Sequence, residues 1–372
     1  MECAGKALKL LSLSVALLIT ATGCSTAAQR VQTEPTLPPV KIYNGGRVFF
    51  VSPEGDDDNT GLSSKYPLKH IQSALELAQP GDTIVLMPGT YRENIKTVRD
   101  GLPGKPITVV GTPGSLIVGN DKPKGRIIDV RNSYIQLLHL NINGQFADCT
   151  EENCYHDKLI YIHGSPEKML SGIRVEAVNL KNALGECLRI KYSENSEIAW
   201  NSISHCGLRD FVFGRGKQNG EGIYVGTAPE QTHGHPDHTK NILIRYNTIA
   251  TYGAECVDVK EGATKIVIEN NVCLKSMQKT SGGISVRGNR EVIRYNIVFD
   301  NKGAGIRLGG DTKEFGIENE VTYNFLDNNL KAALKIMRTP QDKMCSNRST
   351  DTEKLYYPKE KRFMGAFEPC NR

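Results

Sequence analysis

Hydrophobic and polar residues alternate in a short motif that recurs between about residues 125 and 337. In each copy, two leucine or β-branched residues alternate with polar ones, which is the period-2 pattern of a strand with one buried face. The five clearest copies are residues 185–191, 220–226, 254–260, 281–287 and 303–309. A strand motif that repeats at an interval in the twenties predicts a solenoid, in which each repeat packs on its neighbours.

A second short strand follows most copies and ends in a residue pair whose second member is asparagine. These pairs are Trp200-Asn201, Tyr246-Asn247, Asn270-Asn271, Tyr295-Asn296 and Tyr323-Asn324, and the last four asparagines are 24, 25 and 28 residues apart. Stacked asparagines can hydrogen-bond one another and the backbone of a turn. Leucine-rich repeats have a similar period, but their leucine framework and helical segment are missing. We therefore predict an all-β fold, a right-handed parallel β-helix, with rungs about 4.8 Å apart.

The predicted core is formed by the apolar pair of each strand. These pairs are Leu188/Ile190, Ile223/Val225, Val257/Val259 and Ile284/Val286. Because the ends of a solenoid expose sheet edges, they must be covered. Apolar residues at helical spacing within residues 67–80 predict an N-terminal cap helix, and the period fades after residue 337. Long insertions at 144–157, 207–219 and 227–239 are expected to form a binding face.

The N-terminus resembles an export signal. Lys6 and Lys9 precede an apolar run at residues 10–19, and small residues then lead to Cys24. Small residues before a cysteine are typical of a bacterial lipoprotein box, in which Cys24 is lipidated and begins the mature protein. We expect export to the cell envelope on this lipid anchor, with plain secretion or an uncleaved anchor as alternatives. The chain is accordingly divided into a signal peptide (1–23), a tether (24–45), the β-helix (46–337) and an irregular C-terminal cap (338–372).

Export changes the interpretation of the cysteines, because disulfides persist in oxidising compartments. We predict a Cys149–Cys154 bridge that closes a small loop and a Cys345–Cys370 bridge that fastens the C-terminal tail. No metal-binding cysteine spacing is present. Four further cysteines are interpreted as small apolar core residues, namely Cys187, Cys206, Cys256 and Cys273.

Composition narrows the classes of function. Hydrophobic residues make up 39% and charged residues 23% of the 372 residues, which excludes a polytopic membrane protein and a disordered chain. The formal net charge of +5 is too small and too evenly spread for a nucleic-acid-binding protein. It suits a protein, expected to be a monomer, that binds a polyanion at one local site.

Equivalent positions in successive copies become neighbours on successive rungs. One column contains Glu186, Glu221 and Glu255, a second contains Arg189, Tyr224, Asp258, Ser285 and Arg307, and a third contains Lys191, Lys260 and Arg287. Like charges stacked at rung spacing repel one another. A divalent cation on Glu221 and Glu255, and a polyanion on the cationic columns, would relieve this repulsion.

Such a strip suits β-elimination of a uronic-acid polysaccharide. The enzyme must neutralise the uronate carboxylate, remove the proton at C5 and protonate the departing O4. A lysine can serve as the base if neighbouring cations and partial burial lower its pKa, whereas an arginine stays charged. We expect substrate contacts from Tyr224, Arg189, Lys191, Asp258 and Arg307.

Several motifs resemble the core of chondroitinase-B-type lyases, which form polysaccharide lyase family 6 and include alginate lyases. They are Glu255-x4-Lys260, Ile268-Glu-Asn-Asn271, Gly283-Ile-Ser-Val-Arg287-Gly-Asn289 and Gly305-Ile-Arg-Leu308, and the likeness covers residues 215–310. The resemblance implies a Ca²⁺ held partly by Glu255, with Glu221 and Asn219 near the other ligand positions. It also implies Lys260 as the base and Arg287 as the residue on the acid side. Those lyases carry a second carboxylate where this chain has Gly253.

Structural interpretations stand beside these functional ones. Lys260 and Arg287 are alternatively solvated strand ends, and the glutamates alternatively bond turn amides. The histidines of residues 233–238 form either a metal-binding loop or a solvated one. The predicted function is a lyase, and the enzymatic alternatives are a glycoside hydrolase with two carboxylates or a C5-epimerase. A non-catalytic carbohydrate-binding protein of the envelope is the remaining alternative.

Overall fold

The computed structural model describes residues 43, 45–122, 125–216, 219–358, 363 and 365–370. Three parallel sheets run along the described coil and confirm the predicted right-handed parallel β-helix. The predicted signal peptide, most of the tether and Cys24 lie outside the described residues. Among the described residues, the helices are too short and too polar to span a membrane.

The strands of each coil contribute one rung to each of three sheets, here named A, B and C. Sheet A contains Val48–Val51, Thr83–Leu86, Ile107–Gly111, Ile135–Leu138, Leu170–Ser171, Arg174–Glu176, Ser193–Ala199, Lys240–Arg245, Val267–Glu269, Val292–Arg294, Glu320–Thr322 and Met344–Cys345. Sheet B contains Ile95–Lys96, Arg126–Val130, Lys158–His163, Leu188–Lys191, Ile223–Val225, Val257–Val259, Gly282–Val286, Ala304–Leu308, Ala332–Ile336 and Tyr356–Tyr357. Sheet C contains Gly89–Tyr91, Ser115–Ile117, Asn141–Asn143, Asn179–Lys181, Ser202–Ser204, Thr248–Ala250, Val272–Leu274, Ile297–Phe299 and Phe325–Asp327.

The core lies inside the coil and consists of the alternating apolar residues of all three sheets. Each predicted inward pair on sheet B is at most 1% exposed, from Leu188 and Ile190 to Ile284 and Val286. Burial of one such side chain stabilises the fold by about 1.5–3 kcal/mol. The outward side chains of the same strands are therefore fixed in register along the axis.

A ladder of buried asparagines follows the turn between sheets A and C. In each step the side-chain amide donates to the side-chain oxygen of the next asparagine at 2.9–3.0 Å. The same amide also donates to a backbone carbonyl at 2.8–3.1 Å. The predicted ladder is confirmed and is one member longer than the sequence indicates, comprising Asn201, Asn247, Asn271, Asn296, Asn324 and Asn347.

Both ends of the coil carry additional elements. The α-helix Ile71–Leu77 lies within the segment where a helix is predicted and buries Ile71, Ala74 and Leu75. Its first turn has no side-chain cap of its own, and the Glu93 carboxylate accepts the Ile71 N–H instead, at 2.7 Å. At the other end, strands beyond residue 337 join sheets A and B, so the coil continues into the C-terminal segment.

Four short helices lie in the described parts of the insertions and of the C-terminal segment. The 3-10 helix Glu152–Cys154 and the α-helix Leu208–Phe211 belong to the first two insertions, and the 3-10 helix Pro229–Gln231 belongs to the third. A further 3-10 helix, Thr352–Lys354, precedes the last strand of sheet B.

Four disulfides join cysteines within the described part of the coil. The structure pairs Cys149 with Cys154 and Cys345 with Cys370, the two pairs that the spacing predicts. The interpretation of the other four cysteines as unpaired core residues is wrong, because Cys187 pairs with Cys206 and Cys256 with Cys273. Each of these two bridges joins the start of a sheet B strand to sheet C within one coil. The Cα atoms lie 5.5 and 5.8 Å apart, within the usual range for a disulfide.

Candidate functional site

The second predicted column forms a continuous strip on the outer face of sheet B. Arg189 pairs in register with Tyr224, Tyr224 with Asp258, Asp258 with Ser285, and Ser285 with Arg307. Although these side chains point away from the core, Tyr224 and Asp258 are only 4% and 1% exposed. Buried polar groups are costly unless they are paired, so the contacts within the strip determine its stability.

An ion-pair network surrounds Asp258. Lys260 Nζ lies 2.5 Å from Asp258 Oδ2, and Arg287 Nε lies 4.0 Å from Asp258 Oδ1. Arg287 also reaches Asp311 at 3.0 Å and Glu261 at 3.7 Å. Lys260 is 8% exposed, which rules out the alternative of a solvated strand end.

The charge state of this network differs from the expectation of a lysine with a lowered pKa. Burial opposes the charge of Lys260, but attraction to Asp258 and Tyr224 outweighs it and raises the pKa of the ammonium. Burial likewise opposes the charge of Asp258, yet Lys260 and Arg287 lower the pKa of its carboxyl. Lys260 is therefore held as an ammonium and Asp258 as a carboxylate.

Tyr224 lies between two cations. The Arg189 guanidinium is 4.4 Å and Lys260 Nζ is 4.6 Å from the centre of its ring. Burial raises the pKa of the Tyr224 phenol, although both cations act in the opposite direction. Arg189 in turn lies 3.4 Å from Glu186, so the tyrosine is held in a charged and ordered environment.

Three carboxylates converge next to this network. One oxygen from each of Glu221, Glu255 and Asp258 lies within 4.8 Å of the others, and all three residues are buried. Burial, followed by the charges of nearby carboxylates, raises the pKa of Glu221 to about 8. Burial and the charge of Asp258 also raise the pKa of Glu255. Lys260 contacts Asp258 Oδ2, but Asp258 Oδ1 is a buried oxygen without a hydrogen-bond partner among the described residues. Carboxylate oxygens are the ligands that Ca²⁺ prefers, so these three residues fit such an ion.

Two predicted site residues, Asn219 and Lys191, lie away from the Asp258 network, and a third position, Gly253, cannot carry a side chain. Asn219 is exposed, its backbone N–H donates to Asp210, and it does not belong to the carboxylate group. Lys191 lies two rungs from Lys260, with its Nζ 5.8 Å from the Tyr161 ring centre. A Cβ at Gly253 would come within 2.1 Å of the Cys206 carbonyl oxygen. The backbone thus requires glycine where the family 6 lyases carry their second carboxylate.

The histidine loop does not form a metal site. Across the residues that the structure describes, the three carboxylates are the sole set with the spacing of metal ligands. Tyr192 donates instead to the His235 carbonyl oxygen at 2.8 Å, which fixes part of the loop against sheet B.

The first two insertions meet at one margin of the strip. Arg209 lies 2.7 Å from Asp157 and 3.4 Å from Glu152. Lys158 then contacts both Asp157, at 2.5 Å, and Glu186, at 2.9 Å. Ion pairs therefore connect the first two insertions, which are predicted to belong to a binding face, with Glu186 of the glutamate column.

Sequence reasoning missed three charged residues of the site. Glu261 follows Lys260 directly and contacts Arg287, and its signal is its position before Gly262, whose φ of +86° turns the chain. Asp311 comes from a loop with no repeat signal. Lys335 continues the second column because it pairs with Arg307. Leu334 and Ile336 flank Lys335 in the sequence, and this apolar–polar alternation predicts that Lys335 lies on the outer face of its strand.

Comparison with solved structures identifies β-helix lyases of the same fold. The crystal structure of an alginate lyase from Paenibacillus sp. str. FPU-7 has a TM-score of 0.62 at 22% identity, covering 77% of this chain and 94% of that one. Pectate lyase Pel9A has a TM-score of 0.54 at 14% identity, covering 81% of this chain and 79% of the other. A rhamnogalacturonan lyase has a TM-score of 0.52 at 12% identity, covering 84% and 86%. At these identities the likeness establishes the fold.

Sequence comparison gives one relative and one family. The uncharacterized protein YwoF of Bacillus subtilis (strain 168) is 26% identical over 165 residues, which are 44% of this chain and 28% of YwoF. The chain thus matches well under half the length of that relative. A family model covers most of the β-helix, from residue 53 to residue 353. The chain therefore belongs to the family described as a protein of unknown function, DUF1565.

Proposed function

We propose that this protein is an exported polysaccharide lyase that cleaves a uronic-acid polysaccharide by β-elimination. The observation that carries the proposal is the buried Lys260–Asp258–Arg287 network beside Tyr224 on the outer face of sheet B. Residues that can exchange protons lie there next to fixed cations that can bind a carboxylate. The shared fold with a Paenibacillus enzyme named as an alginate lyase supports this choice of substrate class.

The reaction needs two proton transfers and one stabilised charge. A base removes the C5 proton, the electron pair forms the C4=C5 bond, the C4–O4 bond breaks, and O4 receives a proton. In our proposal the phenol of Tyr224 first releases its proton to solvent, and the nearby cations Arg189 and Lys260 stabilise the phenolate. The phenolate then removes the C5 proton, and the Lys260 ammonium donates a proton to O4. Arg287 binds the carboxylate of the reacting uronate, on which negative charge grows as the C5 proton leaves. Arg307, one rung further along sheet B, contacts the next part of the substrate. Asp258 orients Lys260 through their ion pair.

Glu221, Glu255 and Asp258 are the residues that would hold a Ca²⁺, with further oxygens from backbone or water. When bound, such an ion would supply positive charge that helps to neutralise the uronate carboxylate. The chain's own part is to hold three buried carboxylates together, which is costly without a cation. Calcium titration by calorimetry, on the wild type and on Glu221→Gln, tests this assignment.

Export is supported by the cysteines. All eight cysteines after Cys24 form disulfides in the structure, and such bridges are rare in reducing compartments. We propose that Cys24 carries the lipid anchor and that the β-helix faces its polysaccharide as a monomer. Mass spectrometry of the mature protein from its membrane fraction would detect the acylated cysteine.

A glycoside hydrolase agrees less well with the geometry. Hydrolases place two carboxylates on opposite sides of the scissile bond, about 5–9.5 Å apart. Here the three carboxylates lie together, with oxygens within 4.8 Å, and all are buried. A C5-epimerase would share the proton removal but would leave the chain length unchanged.

Product analysis separates these activities. The protein is incubated with alginate, dermatan sulfate, pectate or glucuronan, and the products are examined by mass spectrometry. A lyase product contains one unsaturated sugar and no added water, a hydrolase product contains added water, and an epimerase leaves the polymer intact. Unsaturated products from one of these polymers would support the proposal, and hydrolysed or intact polymer would contradict it.

A further inference from the structure

The outward column of sheet B continues past the proposed catalytic residues into the C-terminal segment. Arg307 pairs in register with Lys335, and Lys335 pairs with Tyr357. Three rungs separate Lys335 from Asp258, a distance of about 14 Å along the axis. Groups at this distance cannot contact the sugar unit that reacts, but they can contact another unit of the same chain.

Arg307 and Lys335 are buried cations without a carboxylate partner. They are 8% and 9% exposed, and among the described residues neither forms an ion pair. Arg307 donates to the Ser285 hydroxyl at 3.3 Å, and Lys335 donates to the Thr280 carbonyl oxygen. Burial and then the charge of Arg287 lower the pKa of Arg307, and burial and then Arg307 lower the pKa of Lys335. Both residues therefore favour a bound anion.

Several cations at the other end of the same face share a carboxylate. Asp129 lies 2.6 Å from Arg131, 2.8 Å from His163 and 3.5 Å from Arg126. Nearer the proposed catalytic residues, Glu186 contacts both Lys158 and Arg189. These paired cations contrast with Arg307 and Lys335, which form no ion pair among the described residues.

Tyr357 closes this end of the column. Lys331 Nζ lies 3.8 Å and Lys335 Nζ lies 5.9 Å from the centre of its ring. Tyr357 is 37% exposed, so part of its side chain remains available for contact with a ligand. Its cation–π contacts order the two lysines. A sugar ring with a carboxylate presents both an apolar face and a charge, which suits this arrangement.

We infer that Lys335, Lys331 and Tyr357 form a distal subsite that binds the carboxylate of a second uronate unit, with Arg307 between it and the reacting unit. This inference rests on the proposed function for the identity of the ligand. It assigns the C-terminal segment, predicted as a cap, to substrate binding. It also predicts that binding strength depends on chain length and on charge.

Binding is measured by calorimetry on the full chain carrying Tyr224→Phe, which removes the proposed base and keeps the Lys260–Asp258 ion pair. The probes are an alginate oligosaccharide and the same oligosaccharide with its carboxylates reduced to alcohols. Lys335→Gln should weaken binding of the acidic probe at least tenfold, since a charge-assisted contact is lost. It should leave the weak binding of the neutral probe unaltered. Lys343→Gln, at an exposed lysine just before the last strand of sheet A, is the matched control.

Two further variants distinguish the loss of a binding contact from a general loss of folding. Lys335→Arg keeps the charge and should retain most of the affinity, and Lys331→Gln, at an exposed position, should weaken the acidic probe without disturbing the core. Equal affinity of Lys335→Gln and the parent for the acidic probe would overturn the subsite, even if the protein proves to be a lyase. Acid-specific weakening would uphold the subsite, even if no cleavage of any polymer were found.

Discussion

Lys260 Nζ and Asp258 Oδ2 are 2.5 Å apart, and both residues are almost completely removed from water. Asp258 lies on the outer side of the sheet B strand Val257–Val259, and Lys260 directly follows that strand. Each ion is stabilised chiefly by the other, because burial alone would disfavour both charges. The pair therefore contributes to stability as well as to the chemistry that we propose.

Removing one member of this pair should be costly. Asp258→Asn leaves a buried ammonium without its partner, and we expect a loss of about 3–5 kcal/mol in the free energy of unfolding. The double variant Asp258→Asn/Lys260→Met should recover most of this loss. Urea denaturation measures both effects.

The control is a surface pair of the same type. Glu194 and Lys240 lie 3.2 Å apart and are 28% and 44% exposed, so Glu194→Gln should cost at most about 1 kcal/mol. If Asp258→Asn were no more harmful than this control, the ion pair would not be the stabilising contact described above.

Glu221 should make stability depend on pH. Its pKa is raised from an ordinary value of 4.5 to about 8, so the protonated carboxyl favours the folded state. In the presence of a chelator, this contribution is complete below about pH 4.5 and is lost as the pH rises through about 8. Glu221→Gln should flatten that part of the profile of melting temperature against pH.

Calcium should reverse this trend. Because Ca²⁺ competes with protons for the carboxylates, its stabilising effect should grow as the pH rises. The wild type should gain more in melting temperature from calcium at about pH 9 than at about pH 6, and Glu221→Gln should gain little at either. An equal response of the wild type and Glu221→Gln would show that calcium does not bind at Glu221.

Four cysteines that are interpreted from the sequence as unpaired core residues form two disulfides in the structure. Peptide mapping under non-reducing conditions should recover Cys187 with Cys206 and Cys256 with Cys273. The paired replacement of Cys187 and Cys206 by serine should cost about 3 kcal/mol, because the bridge closes a loop of 19 residues. Free thiols at these positions in the native protein would contradict the assignment.

The asparagine ladder should be a source of stability without a role in binding. The buried Asn271 amide donates to Asn296 at 3.0 Å and to the Ile244 carbonyl oxygen at 2.9 Å. Asn271→Ala should therefore cost about 1–3 kcal/mol or more, since its partners lose their hydrogen bonds inside the protein. Asn179→Ala, at an exposed position on sheet C, should be close to neutral. Similar denaturation midpoints for the two variants would contradict a structural role for the ladder.

The columns of the site could be predicted because a parallel β-helix has fixed register. Once the copies at 220–226 and 254–260 are aligned, Tyr224 must lie beside Asp258. The charge state of Lys260 could not be predicted in the same way, because it depends on how completely the outer face is buried. Asp311 reaches Arg287 from a loop outside the repeat, and the path of such a loop depends on tertiary packing.

The cysteines likewise include two disulfides that the sequence predicts and two that it does not. The two predicted bridges close 5 and 25 residues around irregular segments, where spacing alone is informative. The pairing of Cys187 with Cys206 depends on where sheets B and C meet within one coil. Strand assignments with errors of one or two residues do not resolve that corner.

Continuous recording of ultraviolet absorbance during incubation with alginate tests the central claim most directly, since a C4=C5 bond next to the carboxylate absorbs there. We predict a steady rise with the wild type and at least a 100-fold lower rate with Lys260→Ala and with Lys260→Arg, since the arginine keeps the charge but does not exchange protons. Lys302→Ala, at an exposed lysine, should keep the wild-type rate. A Lys260→Arg variant as active as the wild type, or no rise with any uronic-acid polymer despite a folded protein, would contradict the account.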